Sequence, residues 1–242
     1  MMKRNLSAAF MILIAWYALH YFVDPRLIPS PHETLVVFMD KWPLLSIHLL
    51  SSLYRILIAI IVSLLFGVPL GILIATHKRI DAILSPVIYA LYPVPKIALL
   101  PLLMLFLGLG DLSKIVLVGL IIIFQILVST RDGVKSINPS YYTSMNALRA
   151  TKWQVYQHMI IPATIPNLLT SLRLSIGTSI SVLFFAENFA TRHGIGYFIM
   201  DSWLKLDYKG MFAGIVAISL MGIALFSFID LLDKKLCRWQ AQ

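Results

Sequence analysis

Apolar residues run through this chain in blocks too long for the elements of a soluble core. Six blocks, at about residues 6–23, 46–76, 82–108, 113–130, 163–188 and 209–232, approach or exceed the roughly 20 residues that a helix needs to cross hydrocarbon. The polar segment 138–161, NPSYYTSMNALRATKWQVYQHMII, interrupts them. Its spacing predicts two short amphipathic helices. Asn138-Pro139 supplies an N-cap and a proline at the first helical position, and Tyr142, Met145 and Leu148 recur every third residue to give one apolar face. Thr151-Lys152-Trp153-Gln154 has capping-box spacing, with Trp153, Tyr156 and Ile160 as the second apolar face and Pro162 as the predicted stop. Two such helices between membrane spans suit a docking surface for a cytoplasmic partner.

Several blocks are predicted to be broken. Gly67, Pro69 and Gly71 fall in the second, and Pro86, Pro93, Pro95 and Pro101 in the third. Proline removes a backbone donor, which a membrane tolerates only where protein or a water-lined cavity satisfies the freed carbonyl. The breaks therefore either shape helix packing or surround a pathway. The stretch from Glu187 to Asp207, with Gly194-x-Gly196 and aromatic residues, predicts a short re-entrant or interfacial segment.

Charge sets an orientation. Of the 242 residues 59% are hydrophobic and 13% charged, and the net charge is +9. In a soluble chain that excess would point to nucleic acid; here it reads as positive-inside bias, with no nucleic-acid partner. Lys3, Arg4, Lys78, Arg79, Arg131, Lys135, Arg149, Lys152, Lys234, Lys235 and Arg238 fall on one side of a six-span arrangement, with four acids. The six basic residues of the other side are balanced by six acids, so both termini and segment 138–161 are expected in the cytoplasm. The run after Lys3-Arg4 exceeds a signal-peptide core and no small-x-small site follows, so it is expected to be retained as a span. The single cysteine, Cys237, excludes an internal disulfide.

Catalytic constellations are absent from the sequence. The six histidines have no metal-ligand spacing, and no Walker A pattern occurs, so no metal site and no cofactor is expected and ATP would be bound by a partner. The candidate chemistry lies within the spans, where charge is costly. Arg55 and Arg173 either line a pathway or snorkel toward a helix end or cap neighbouring carbonyls. Lys96 follows the double-proline break and is a pathway candidate. Glu187 ends the fifth span as an outer-gate or ion-pair group, with Arg55 or Lys96 as its partner. Gln125 is a hydrogen-bonding group for the pathway or for a neighbouring helix.

Segment 138–161 resembles the EAA loop of permease subunits of binding-protein-dependent ABC importers. That pattern is Glu-Ala-Ala, three residues, glycine, then about a dozen residues and proline. Counting back from Pro162 puts the Glu-Ala-Ala slot at Thr143, Ser144 and Met145 and the glycine slot at Arg149, so the chain departs from the pattern there. Leu27-Ile28-Pro29-Ser30-Pro31, Gly67-Val68-Pro69-Leu70-Gly71, the run Tyr92 to Leu102, Leu172-Arg173-Leu174, and Ala186-Glu187 with Gly194-Ile195-Gly196-Tyr197 resemble the nitrate/sulfonate/taurine branch.

The resemblance implies an all-α membrane protein of about six transmembrane helices with the type I importer permease fold. It implies an N-terminal helix and outer loop over 1–45 and a permease domain over 46–236. Thr143, Ser144, Met145, Asn146, Ala147, Leu148, Arg149 and Lys152 would meet a cytoplasmic ABC ATPase. Arg149 is expected to contact an acidic patch there, or else to make the turn with right-handed geometry. A second permease copy, as a homodimer, a solute-binding protein outside the cell membrane, and membrane lipid would complete the assembly. The substrate would be a small anion (nitrate, a sulfonate, a taurine-like molecule) or a small vitamin precursor. The alternative, a self-sufficient secondary transporter or channel, would predict an inverted repeat and a midplane cluster of coupling groups; neither is visible. An intramembrane enzyme would need paired catalytic groups, also unseen.

Overall fold

The computed structural model describes residues 2–238; residue 1, where the first expected segment begins, lies outside them. Among the described residues there are helices and no strand. In order these are α1 (Met2–Phe22), α2 (Pro31–Asp40), α3 (Trp42–Thr76), α4 (Lys78–Leu91), α5 (Leu100–Leu107), α6 (Asp111–Lys135), α7 (Pro139–Ala147), α8 (Lys152–Val155), α9 (Ile161–Glu187), α10 (Ile195–Leu204) and α11 (Tyr208–Leu236). A 3₁₀ turn, Lys96–Leu99, precedes α5, and a π-helical turn, Tyr156–Ile160, joins α8 to α9. Helices α3, α6, the continuous stretch Lys152–Glu187 and α11 are long and apolar enough to cross a membrane; α4 and α5 together make a bent fifth candidate, and Phe10–Phe22 in α1 is a shorter apolar helix.

The expected third span is not one helix. Its two halves are bent by 82°, because Pro93 and Pro95 withhold donors where the ladder would continue and the chain resumes only at the 3₁₀ turn. The second span shows the reverse outcome. α3 passes through Gly67, Pro69 and Gly71 without a break. Its glycines serve close approach to α6: a Cβ on Gly67 would meet Ile126 at 3.0 Å, and one on Gly71 would meet the Leu127 carbonyl and Thr130 at 2.8 Å.

Two compact units form. The first combines residues up to Tyr54 with Phe184–Met221, and the second combines Arg55–Leu183 with Gly222 onward. In the first, α2 starts at a capping box made by Ser30 and Glu33 with Pro31 at its first position. Phe38 and Leu45 pack there with Ile195, Phe198 and Ile199 of α10 and Ala213 and Ala217 of α11. Lys209 reaches Glu33 at 2.8 Å, and Lys41 pairs with Asp207. In the second unit, Ile74, Ile88 and Leu127 make one core, and Val134, Met159 and Ile160 make another beneath α7 and α8.

Close approach at Gly71 makes a direct prediction. Gly71→Val should lower stability to denaturation in detergent by about 1–3 kcal/mol through overpacking. Gly177→Ala, whose Cβ would meet only Phe226 at 3.9 Å, should stay within about 0.5 kcal/mol of the wild type. Equal losses would contradict a packing role for Gly71.

Candidate functional site

Segment 138–161 folds as its caps dictate. Asn138 accepts the Ser140 amide at the start of α7, and Thr151 and Gln154 cap each other across the start of α8. Tyr142, Met145 and Tyr156 pack on Val134, Met159 and Ile160. Burial pushes the Tyr142 phenol up, with Tyr156 adding to the shift. The apolar stripes do not close completely. Leu148 is 77% exposed and Trp153 71%, beside exposed Tyr141. Pro162 does not stop the second helix either. The π-helical turn widens the ladder just ahead of it, the Ile161 amide reaching back to the Tyr156 carbonyl, so α8 runs on into α9.

Between α7 and α8 the chain makes a left-handed turn at Arg149, with φ of 52°. The Arg149 amide donates to the Asn146 carbonyl and the Ala150 amide to the Met145 carbonyl, the Schellman closure that glycine usually serves. Of the two alternatives for Arg149, the right-handed turn is therefore excluded. Closing the helix end requires αL geometry even though a side chain makes it costlier. Thr143 and Ser144 bond back to the Pro139 and Ser140 carbonyls. Thr143, Ser144, Asn146, Ala147, Leu148, Arg149 and Lys152 are exposed and Met145 is half-buried.

The intramembrane candidates separate into different settings. Lys96 Nζ donates to the carbonyls of Leu91 (3.1 Å) and Tyr92 (2.9 Å), capping the end of α4, and lies 4.6 Å from the centre of the Phe124 ring. Gln125 accepts the Ser175 hydroxyl at 2.7 Å. Both line one cavity of about 300 Å³ with Tyr92, Val94, Ile97, Ile121, Phe124 and Val182. Arg55 is buried and donates through Nε and Nη2 to Asp111, at 2.9 and 2.7 Å. Arg173 pairs with Asp230 at 2.7 Å and lies 3.6 Å from Asp233 instead of capping carbonyls, and the structure gives its buried Nε no acceptor.

Glu187 is fully buried. Its carboxylate accepts the Ser52 hydroxyl at 2.7 Å and the Gly196 amide at 2.8 Å, at the N-terminal end of α10 where a helix favours negative charge. Ser52 in turn accepts the Ile195 amide, and His48 Nδ1 lies 3.0 Å from both the amide and the carbonyl of Gly194. A Cβ on Gly194 would come within 2.4 Å of the Glu187 carboxyl carbon, and one on Gly196 within 2.7 Å of the Phe184 carbonyl. Glycine at both positions lets the start of α10 close over the carboxylate. The Glu187…Gly194-x-Gly196 pattern thus holds a helix start in place.

Residues 67–238 match the family described as "Binding-protein-dependent transport system inner membrane component". The chain belongs to that family. Over 244 residues it is 31% identical to the taurine transport system permease protein TauC of Escherichia coli (strain K12), covering 96% of this chain and 87% of that one. It is 30% identical to the formylaminopyrimidine transport permease protein ThiX of Halalkalibacterium halodurans, covering 99% of each. A chain of the inward-facing MetNI methionine ABC transporter shares the fold, with a TM-score of 0.69 at 15% identity over 81% of this chain and 98% of that one. The protein is an ABC importer permease subunit, a multi-pass inner-membrane transport protein with the all-α fold of that class. A self-sufficient transporter or channel is not favoured.

Some residues of this permease had no distinguishing signal of their own in the sequence. Ser52 and His48 look like ordinary polar members of a long apolar helix. Phe124 and Tyr92 look like core or lipid-facing aromatics. Arg131, predicted only as a topological charge, is buried and bonded to Asp132, Ser85 and Tyr89.

The Arg149 turn is testable by substitution. Arg149→Gly should hold or slightly raise thermal stability, because relief of about 1–2 kcal/mol of αL strain offsets the flexibility of glycine. Arg149→Val should lower stability by about 1 kcal/mol or more. If valine is tolerated as well as glycine, the left-handed turn does not form.

Proposed function

We propose that this permease, as one of two identical copies, forms the translocation pathway of an importer for a small anion. A separate cytoplasmic ATPase binds at the surface of α7 and α8 and supplies ATP hydrolysis. A solute-binding protein delivers the substrate from outside, and the permease itself carries no cofactor. The observation that carries the coupling role is the Arg149 turn. The residue in the family's glycine slot has the backbone conformation for which glycine is suited, and it leaves Leu148 and Trp153 exposed next to Arg149 and Lys152. Apolar anchors ringed by basic groups suit a partner surface with an apolar pocket and acidic rim.

The charge asymmetry supports cytoplasmic termini. Similarity to a taurine permease and the excess of intramembrane cations among the candidate residues support an anion. The equal similarity to a formylaminopyrimidine permease favours a second reading, a small vitamin precursor. Arg55 and Arg173 serve the pathway through their ion pairs, and Glu187 through the α10 start.

Two experiments test this reading. In a Cys237→Ser background, Lys152→Cys should react with an impermeant thiol reagent only from the cytoplasmic side and Lys205→Cys only from outside. Labelling of Lys152→Cys on intact cells would reverse the orientation. In membranes carrying the complete transporter, Arg149→Glu should reduce substrate-stimulated ATP hydrolysis and uptake by about tenfold or more, the scale of a like-charge contact at an interface. Wild-type uptake would move the coupling site elsewhere.

A further inference from the structure

We propose that the cavity around Lys96 is an anion subsite of the translocation pathway, built for a monoanion with a short apolar body such as an alkyl sulfonate or carboxylate. This rests on the importer reading above and adds a selective site within the permease itself. The Lys96 ammonium is held by neutral groups, the carbonyls of Leu91, Tyr92 and, more loosely at 3.4 Å, Val94, and the Phe124 face. Among the described residues no carboxylate pairs with it. Carbonyls at a helix end orient a cation without neutralising it, and an uncompensated charge at membrane depth is costly and marks a functional position.

Depth supports the same conclusion. Gln125 lies fourteen residues into the 25-residue α6, about 21 Å along a helix of about 37 Å at 1.5 Å per residue. This midway level is where transporters place their binding sites, commonly at broken helices. Here the break between α4 and α5 supplies Lys96. The Ser175 hydroxyl occupies the Gln125 carbonyl oxygen, leaving the amide NH₂ as a donor for a ligand in the cavity. With the long Val94 contact exchanged for the ligand, one ammonium donor and one amide donor would grip an oxyanion.

The remaining lining defines the ligand body. Ile121, Phe124, Val182 and Tyr92 are apolar or aromatic, and no lining residue is acidic. A cavity of about 300 Å³ is at the small end of ligand sites, which run from about 300 to 1,000 Å³. Nitrate would leave the apolar wall unused. Taurine would bring an ammonium that meets no carboxylate. A neutral pyrimidine would stack on Phe124 without needing Lys96.

The test is direct binding to the full-length permease in lipid nanodiscs, using 1-butanesulfonate, nitrate, taurine and a formylaminopyrimidine as probes. 1-Butanesulfonate should bind saturably and more tightly than the other three. Lys96→Met should weaken it by about tenfold or more, the loss expected for one charge-assisted hydrogen bond, and Lys96→Arg should retain most of the binding. Ile121→Glu puts a carboxylate into the cavity and should abolish anion binding while the protein remains folded; it decides the matter if Lys96→Met does not assemble. Unchanged 1-butanesulfonate affinity in folded Lys96→Met or Ile121→Glu, or no saturable binding to the wild type, would overturn the subsite. Uptake separates this from the importer reading. If the complete transporter takes up no small anion while nanodisc binding stands, the importer reading fails and the subsite does not. If Lys96→Met imports the anion with wild-type KM, the subsite alone fails.

Discussion

A backbone carbonyl released inside hydrocarbon has no water to turn to, and at several helix ends of this chain a side-chain donor meets that constraint. Where α4 ends, Lys96 donates to the Leu91 and Tyr92 carbonyls. Where α5 ends, the buried Lys114 donates to those of Leu109 and Gly110, each at 3.2 Å. At the approach to Pro162 and Pro166, Thr164 covers the Ile160 and Ile161 carbonyls, and at the end of α3 Thr76 bonds the Ile72 carbonyl. Lysine is costly in a membrane, so where the fold uses it for this purpose, at Lys96 and Lys114, it also places a cation. In the subsite proposed above, Lys96 would serve a ligand as well as the backbone.

The same constraint shapes two further helix ends. The buried Glu187 carboxylate accepts the Gly196 amide at the start of α10 and the Ser52 hydroxyl, and Gly194 and Gly196 let that helix end close down on it. Within the second unit, α7 ends in a Schellman turn whose left-handed residue is Arg149. That turn requires a particular backbone conformation, and the side chain at that position is open to other uses. The permease family's glycine slot is thus a geometric requirement that arginine meets at an energetic cost.

Much of this was legible in the sequence. Long apolar runs announced the spans, and Asn138-Pro139 and Thr151…Gln154 placed the starts of α7 and α8 correctly because capping chemistry is local. Glycine and proline misled where their role depended on a neighbour. Gly67 and Gly71 looked like a break but are contact points for α6, which no local pattern reveals. Pro162 looked like a stop, but one widened turn absorbed it. Leu148 and Trp153 carried the right periodicity for burial and point outward, because periodicity marks a face and not what covers it. The intramembrane charges were identifiable from their cost alone. Their partners, Asp111 for Arg55 and Asp230 for Arg173, lie 56 and 57 residues away and became visible only in the fold.

A pathway at the break between α4 and α5 requires that the break be lined by water. The most direct measurement is the reactivity of Val94→Cys in a Cys237→Ser background, in membranes, toward a charged water-soluble thiol reagent. A water-lined break predicts modification by that reagent, slowed when 1-butanesulfonate is present. Reaction only with a lipid-soluble maleimide, unaffected by the sulfonate, would mean that the break lies against lipid and lines no pathway.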